Sequence, residues 1–161
     1  SQNILLKLGD IKGETKTDGY TDWITISSFQ QSLSQEVPRA GERRRSAANF
    51  EPILMTKTLD MSSPKIAEAV AKGKMLPKVE VHFVQNVRGQ KTMPYLTYTL
   101  TNVSIVNYSI SASEGGSPTE EFSISFESIE VSYIQKDRNG KAGKVEYKYD
   151  IKRFLQQLKK K

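Results

Sequence analysis

The residues from which chemistry could be built are few: one histidine, no cysteine, and scattered carboxylates and serines. A Ser–His–Asp relay needs an imidazole, so it would have to use His82, and no serine lies in a G-x-S-x-G elbow. His82 stands in VEVHFV on the polar side of an alternating strand, where a lone histidine is expected to be structural or exposed. Zinc-type sites assembled from His and Cys are excluded by the same inventory. Glu120-Glu121 and the Asp18/Asp22 pair are the carboxylates near enough in sequence for general acid–base work. Both pairs adjoin turn-like segments, and their expected place is facing water. Neither G-x-x-x-x-G-K-[ST] nor G-x-G-x-x-G occurs, so Gly115-Gly116 is not a phosphate loop. The reading is of no catalytic, cofactor-binding or metal-ligating residue, and no cofactor.

One further site candidate is the stretch TKTLDMSSPKIAEAVAKGK (56–74). Pro64 suits the first turn of a helix because its missing N–H would have been unpaired there, and Ser63 is the expected N-cap. Ile66, Ala69 and Val70 share one face, while Gly73 can close the helix in a left-handed conformation. The spacing predicts a short helix over 64–72. Its N-terminus, with Lys57 nearby, has the polarity to hold an anion. Almost every helix has such an end, so the expectation is scaffold rather than site.

Around that helix the pattern is β. Trp23–Ile26 opens a strand expected to reach Gln35, and FEPILMTKTL (50–59) resumes it. After Pro77, Val79, Val81 and Phe83 oppose Glu80 and His82, and Leu96, Tyr98 and Leu100 oppose threonines. Two phase slips follow, one between Ile105 and Val106 and one between the Phe122–Ile124–Phe126 set and the Ile129–Val131–Tyr133 set. A one-residue slip moves the apolar set to the other face unless a bulge or sharp coil re-aims the strand. Strands of that kind are what a closed or strongly coiled sheet requires at its corners. Segment 111–121 is a hairpin turn, DRNGKAGK (137–144) another, and 145–150 a last strand. DIKRFLQQLKKK (150–161) is a short helix or a tail that orders against a partner. The fold class is mainly β: a compact β-barrel of two antiparallel sheets with one flanking helix, in a single domain over 1–161.

Net charge is +6 over 161 residues, with much of the excess in Arg43–Arg45 and Lys159–Lys161. A basic barrel with exposed aromatics can bind nucleic acid by stacking. Against that, Tyr98, Phe122 and Phe126 keep phase with Leu100 and Ile124, which points to core. The arginines sit in a loop at 36–49 that has no period, and loops of this length in compact domains tend to be functional or disordered. No apolar run approaches the roughly 18 residues of a membrane span, and the N-terminal residues lack the features of a signal peptide.

Taken in order, IKGET, TKTLDMSSPKI with its short helix, VEVHFV, and the EGGSPTEEFSISFESIEVSY hairpin resemble the haemolysin-coregulated protein (Hcp) family of bacterial type VI secretion systems, over residues 3–150. At Tyr20 the sequence departs from the histidine expected of many relatives. The resemblance implies a non-enzymatic tube subunit of six-membered rings that stack into a hollow conduit for effectors. It implies as partners other copies of the chain, a contractile sheath, a spike protein and effectors, with no nucleic acid and no insertion into a membrane. It further implies synthesis in the cytoplasm and secretion without a signal peptide. Glu42, Arg43, Arg44 and Arg45 are then the expected contacts between subunits or rings. A phage-type tail-tube subunit and a basic nucleic-acid-binding barrel are the alternatives.

Overall fold

Strands whose apolar residues recur every second position turn one face inward and build most of this chain. The computed structural model describes residues 2–37, 40–41, 48–86, 92–136 and 142–159. In chain order they form β1 (Gln2–Leu8), β2 (Ile24–Ile26), β3 (Ser28–Gln30), β4 (Leu33–Ser34), β5 (Asn49–Phe50), β6 (Ile53–Thr58), α1 (Ser63–Lys72), β7 (Met75–Gln85), β8 (Met93–Ser111), β9 (Thr119–Ser125), β10 (Ser128–Lys136), β11 (Ala142–Asp150) and α2 (Ile151–Lys159). None of the helices is long and apolar enough to cross a membrane among the described residues.

Nine strands share one antiparallel sheet in the order β2-β1-β7-β8-β9-β6-β3, with β10 attached to β8 and β11 to β10; β4 and β5 pair separately. The mainly β, antiparallel architecture is as expected. The two sheets are, however, one network, because the 19-residue β8 runs through both. Its first half pairs with β7 and β10, and its second half with β9. The path has two ends, β2 and β3, rather than closing as a ring of ladders. Only Ser27 separates those ends, and its N–H donates to the Thr56 carbonyl at 2.8 Å, beside the β6 ladder.

Inside lie Leu6, Ile24, Ile53, Val81, Leu100 and Phe122, each fully buried. Burying one such side chain stabilises the fold by about 1.5–3 kcal/mol. From α1, Ile66 and Ala69 join the same core, with Val70 packed against it. Ser63 is not the N-cap: Ser62 holds that position and makes no side-chain cap. Asp60 does that work instead, its Oδ1 accepting from the Ser62 N–H at 2.9 Å. At the other end Gly73 adopts φ 61°, and the amides of Gly73 and Lys74 donate to the Val70 and Ala69 carbonyls. This left-handed close is the one expected from the Lys72-Gly73-Lys74 run.

The slip at Ile105/Val106 is a β-bulge: the β8–β9 register shifts between Ile105 and Asn107, and Val106 turns outward. The second slip falls at residues 126–127, where β9 ends and β10 begins. A third break, between Leu100 and Val103 in β8, faces it. Extending the flanking registers places Pro77, Asn102 and Glu127 in one row across three strands. Pro77 has no N–H to give, and Asn102 sits at φ 52°. The Asn102 side chain donates to Glu127 Oε2 at 2.8 Å, and the Glu127 N–H donates to the Thr101 carbonyl at 3.0 Å. The Glu127 carbonyl accepts from Ile151 N–H at 2.9 Å, which starts α2 at this row.

Candidate assembly surface

Of the expected contact residues, Glu42, Arg43, Arg44 and Arg45 lie outside the described residues. The stem below them is described. Leu33 and Ser34 pair with Phe50 and Asn49, and Glu51 N–H donates to the Ser32 carbonyl at 3.0 Å. Leu33 and Val37, on the rising side, are largely exposed.

The anion-site reading of the α1 N-terminus meets a different arrangement. Lys57 is fully buried, and its Nζ lies 2.6 Å from Glu120 Oε1, 2.9 Å from Asp60 Oδ1 and 3.1 Å from Ser63 Oγ. Ser63 Oγ donates to Glu120 Oε1 at 2.6 Å, and the Tyr108 hydroxyl donates to Glu120 Oε2. The Tyr108 hydroxyl is pushed up to about 12 by burial and by the adjoining carboxylate. Glu120 therefore does not face water, as its place beside a turn suggested, whereas Glu121 does. The group is closed and internally paired, so it fastens α1 to β6 and β9 rather than holding a ligand. A signal for it existed. Lys57 continues the inward phase of Ile53 and Met55, Glu120 that of Phe122 and Ile124, and the two are direct cross-strand partners.

His82 sits on the outward face of β7, as its phase required, but it is not bare. The segment 12–23 folds over it, and the Tyr20 hydroxyl meets its Nδ1 at 3.0 Å. Trp23 lies edge-on with ring centroids 4.8 Å apart. Burial holds the imidazole below its ordinary pKa, with Glu80 pulling the other way. Among the described residues its hydrogen-bond and ring partners are Tyr20 and Trp23, which do not complete a relay. Phe122 and Phe126 are buried and Tyr98 half-buried, all three packed with the core, so they offer no stacking platform. Among the described residues no group of three or more His, Asp and Glu side chains could hold a metal ion.

The surface that stands out is on the β10–β11 hairpin. Ile129, Val131 and Tyr133 alternate on its inward phase and pair with Tyr149, Tyr147 and Val145. Near the row at Glu127 this face is covered: Ile129 is buried, and Tyr149 packs on Phe50 and Phe154 with centroids 5.1 and 5.6 Å apart. β8 leaves β10 at Tyr133, opposite Leu96, and the hairpin runs on beyond it. Towards that end of the ladder, still within the span that β8 flanks, Val145 is 71%, Tyr133 48% and Tyr147 44% exposed. β11 pairs with β10 alone, so its outer edge is also open among the described residues. An apolar face in phase with the core, on an unpaired strand, is a surface that a lone subunit leaves uncovered. Between this hairpin and α2 lies an open cleft of about 440 Å³, whose walls include Thr101, Ser128, Arg153 and the Lys148–Glu130 ion pair at 3.6 Å.

Comparison with known proteins adds to this geometry. Residues 5–133 match the family described as "Type VI secretion system effector, Hcp". The chain is 26% identical over 159 residues to Protein hcp1 of Pseudomonas aeruginosa, covering 96% of this chain and 98% of that one. It also resembles the solved "Structure of a type six secretion system protein", with a TM-score of 0.85, 25% identity, and 95% and 98% of the two chains covered. For Hcp1 of Salmonella typhimurium the TM-score is 0.77 at 24% identity, over 95% of this chain and 97% of that one, a likeness of fold.

Proposed function

Because the chain belongs to the Hcp family of type VI secretion proteins, we propose that it is a structural subunit of the secretion tube, assembling as six-membered rings that stack into a hollow conduit for effectors. Its partners in this reading are other copies of itself, the contractile sheath, the spike and the effectors carried within. In this reading it is a secreted protein. A second Pseudomonas aeruginosa relative, 25% identical over 99 residues, bears the name "Major exported protein", in keeping with secretion.

The observation that carries the assembly reading is the uncovered face of Tyr133, Val145 and Tyr147. A ring of identical chains uses a heterologous contact, in which one patch meets a different patch on the neighbour. The apolar face of the β10–β11 hairpin supplies one such patch. No catalysis is invoked: the buried Lys57–Glu120 group and the covered His82 both have structural partners.

Negative-stain microscopy and size-exclusion chromatography of the purified chain test this directly. Closed rings of six are expected. A Val145→Asp/Tyr147→Asp variant is expected to elute as a monomer while keeping the β signature in circular dichroism, because both side chains are already exposed within one subunit. Uniform monomers of the unaltered chain over a wide concentration range would overturn the tube reading.

A further inference from the structure

The segment 12–23 is a built cover rather than a passing loop. Gly13 N–H donates to the Asp22 carbonyl at 2.8 Å, Asp22 N–H to Thr15 at 3.0 Å, and Thr15 N–H to Trp23 at 3.0 Å. Thr15 Oγ1 meets Thr25 Oγ1 at 2.8 Å and so fastens the cover to β2. A Cβ on Gly13 would come within 2.5 Å of the Trp23 carbonyl oxygen, so the backbone can approach this closely only there. Beneath the cover, Leu5, Tyr20 and Val84 form a second apolar cluster with Trp23, separate from the barrel core and on the outward face of β1 and β7.

His82 is the group against this cluster that titrates in the mildly acid range, and the chain has a single histidine and a single tryptophan. From the cover, Tyr20 and Trp23 face the ring edge-on, with centroids 5.5 and 4.8 Å away. From β1 its cross-strand partner is Leu5, and from β8 it is Thr97, neither of which carries charge. On β7 itself Glu80 is near, opposite Lys7 of β1 and 3.8 Å from Lys78. The carboxylate that favours an imidazolium is thus partly engaged by Lys78. Tyr20, whose hydroxyl is held above its ordinary pKa by burial and by Glu80, stays protonated throughout the acid range. Its hydroxyl can donate to a bare Nδ1 or turn to accept from a protonated one, at 3.0 Å. Protonation nevertheless places a charge among apolar rings under the cover.

We propose that residues 12–23 are an acid-released clasp, with His82 as the sensing group, that uncovers the Leu5–Val84 strip on the outward face of β1 and β7. In the open state His82 titrates near 6.5, and in the closed state lower, so the closed form is fully favoured above about pH 6.5. As pH falls from there to the closed-state midpoint, opening rises by up to tenfold per pH unit and then levels off.

The test uses the whole chain between pH 8 and pH 4.5, with three readouts. These are histidine NMR for protonation, emission of the sole tryptophan for its surroundings, and amide exchange corrected for intrinsic rate. The expected result is a histidine midpoint below 6.5, a matching change in emission, and lost protection at Gly13, Thr15 and Asp22 while the β1–β7 ladder stays protected. Tyr20→Phe keeps the ring cover but leaves a protonated Nδ1 without its acceptor, and it should move the midpoint further below 6.5. His82→Gln should abolish the acid-dependent change in exchange. Quenching of Trp23 with no change in exchange would show protonation without release and overturn the proposal. Loss of protection in clasp and ladder together would show global unfolding and overturn it equally, as would an unshifted transition in His82→Gln.

Discussion

At Lys57 and Glu120 two opposite charges occupy core positions at the ends of neighbouring strands, with no exposed surface on either. Taking two ions out of water is costly, and the cost is offset only where every polar atom finds a partner. Here the partners are Asp60, Ser63 and Tyr108, one from each segment that must meet at the α1 N-terminus. Lys57→Met strands Glu120 in the interior and is expected to lower stability by about 3–5 kcal/mol. The double change Lys57→Met/Glu120→Leu removes both charges and should recover a substantial part of that loss. Urea unfolding of the two variants checks this; equal losses would mean that packing rather than ionic pairing dominates. The sequence carried the clue in its period. Reading charge as exposure overrode it, because a carboxylate beside a turn is ordinarily solvated.

Among the elements, what the period could show was a change of face, and what it could not show was its cause. The Ile105/Val106 slip announced the bulge, and the Phe126/Ile129 slip announced the corner between β9 and β10. The matching break in β8 went unremarked because Asn102 interrupts the alternation without adding an apolar residue. It became legible only when the registers set Pro77, Asn102 and Glu127 in a row. Similarly, the helix over 64–72 was legible from Pro64 and Gly73, but its cap was not, since Asp60, Ser62 and Ser63 are all good capping residues. Asn102 makes a test of the row. Ala there keeps the left-handed strain and loses the bond to Glu127, whereas Gly loses the bond but relieves the strain. Asn102→Ala is therefore expected to be about 1 kcal/mol less stable than Asn102→Gly, measured by thermal or denaturant unfolding. The reverse order would mean that the backbone at this position is not held left-handed in solution.

For the whole molecule, the exposed hairpin face is the feature on which the proposed assembly rests. The proposed role of Arg43–Arg45 belongs at this scale, since it concerns contacts between copies. Reversing all three to Glu is expected to leave the β signature intact and to reduce ring formation or stacking at physiological salt. Sedimentation or microscopy reads the outcome, and undiminished assembly would remove these residues from the interface. The sequence could not point to Tyr133, Val145 and Tyr147 in the same way. Their alternation is that of core residues, and only their exposure in the folded chain shows that the core does not reach over them.

The row at Pro77, Asn102 and Glu127 has a mechanical consequence. Pro77 cannot donate to the ladder and Asn102 is turned out of the β region, so the sheet has its weakest lateral bonding along one line. A sheet bends most easily about such a line and resists bending elsewhere. β7, β8 and β10 cross that line together, so bending there is expected to tilt their outer halves, with the attached β11, as one unit.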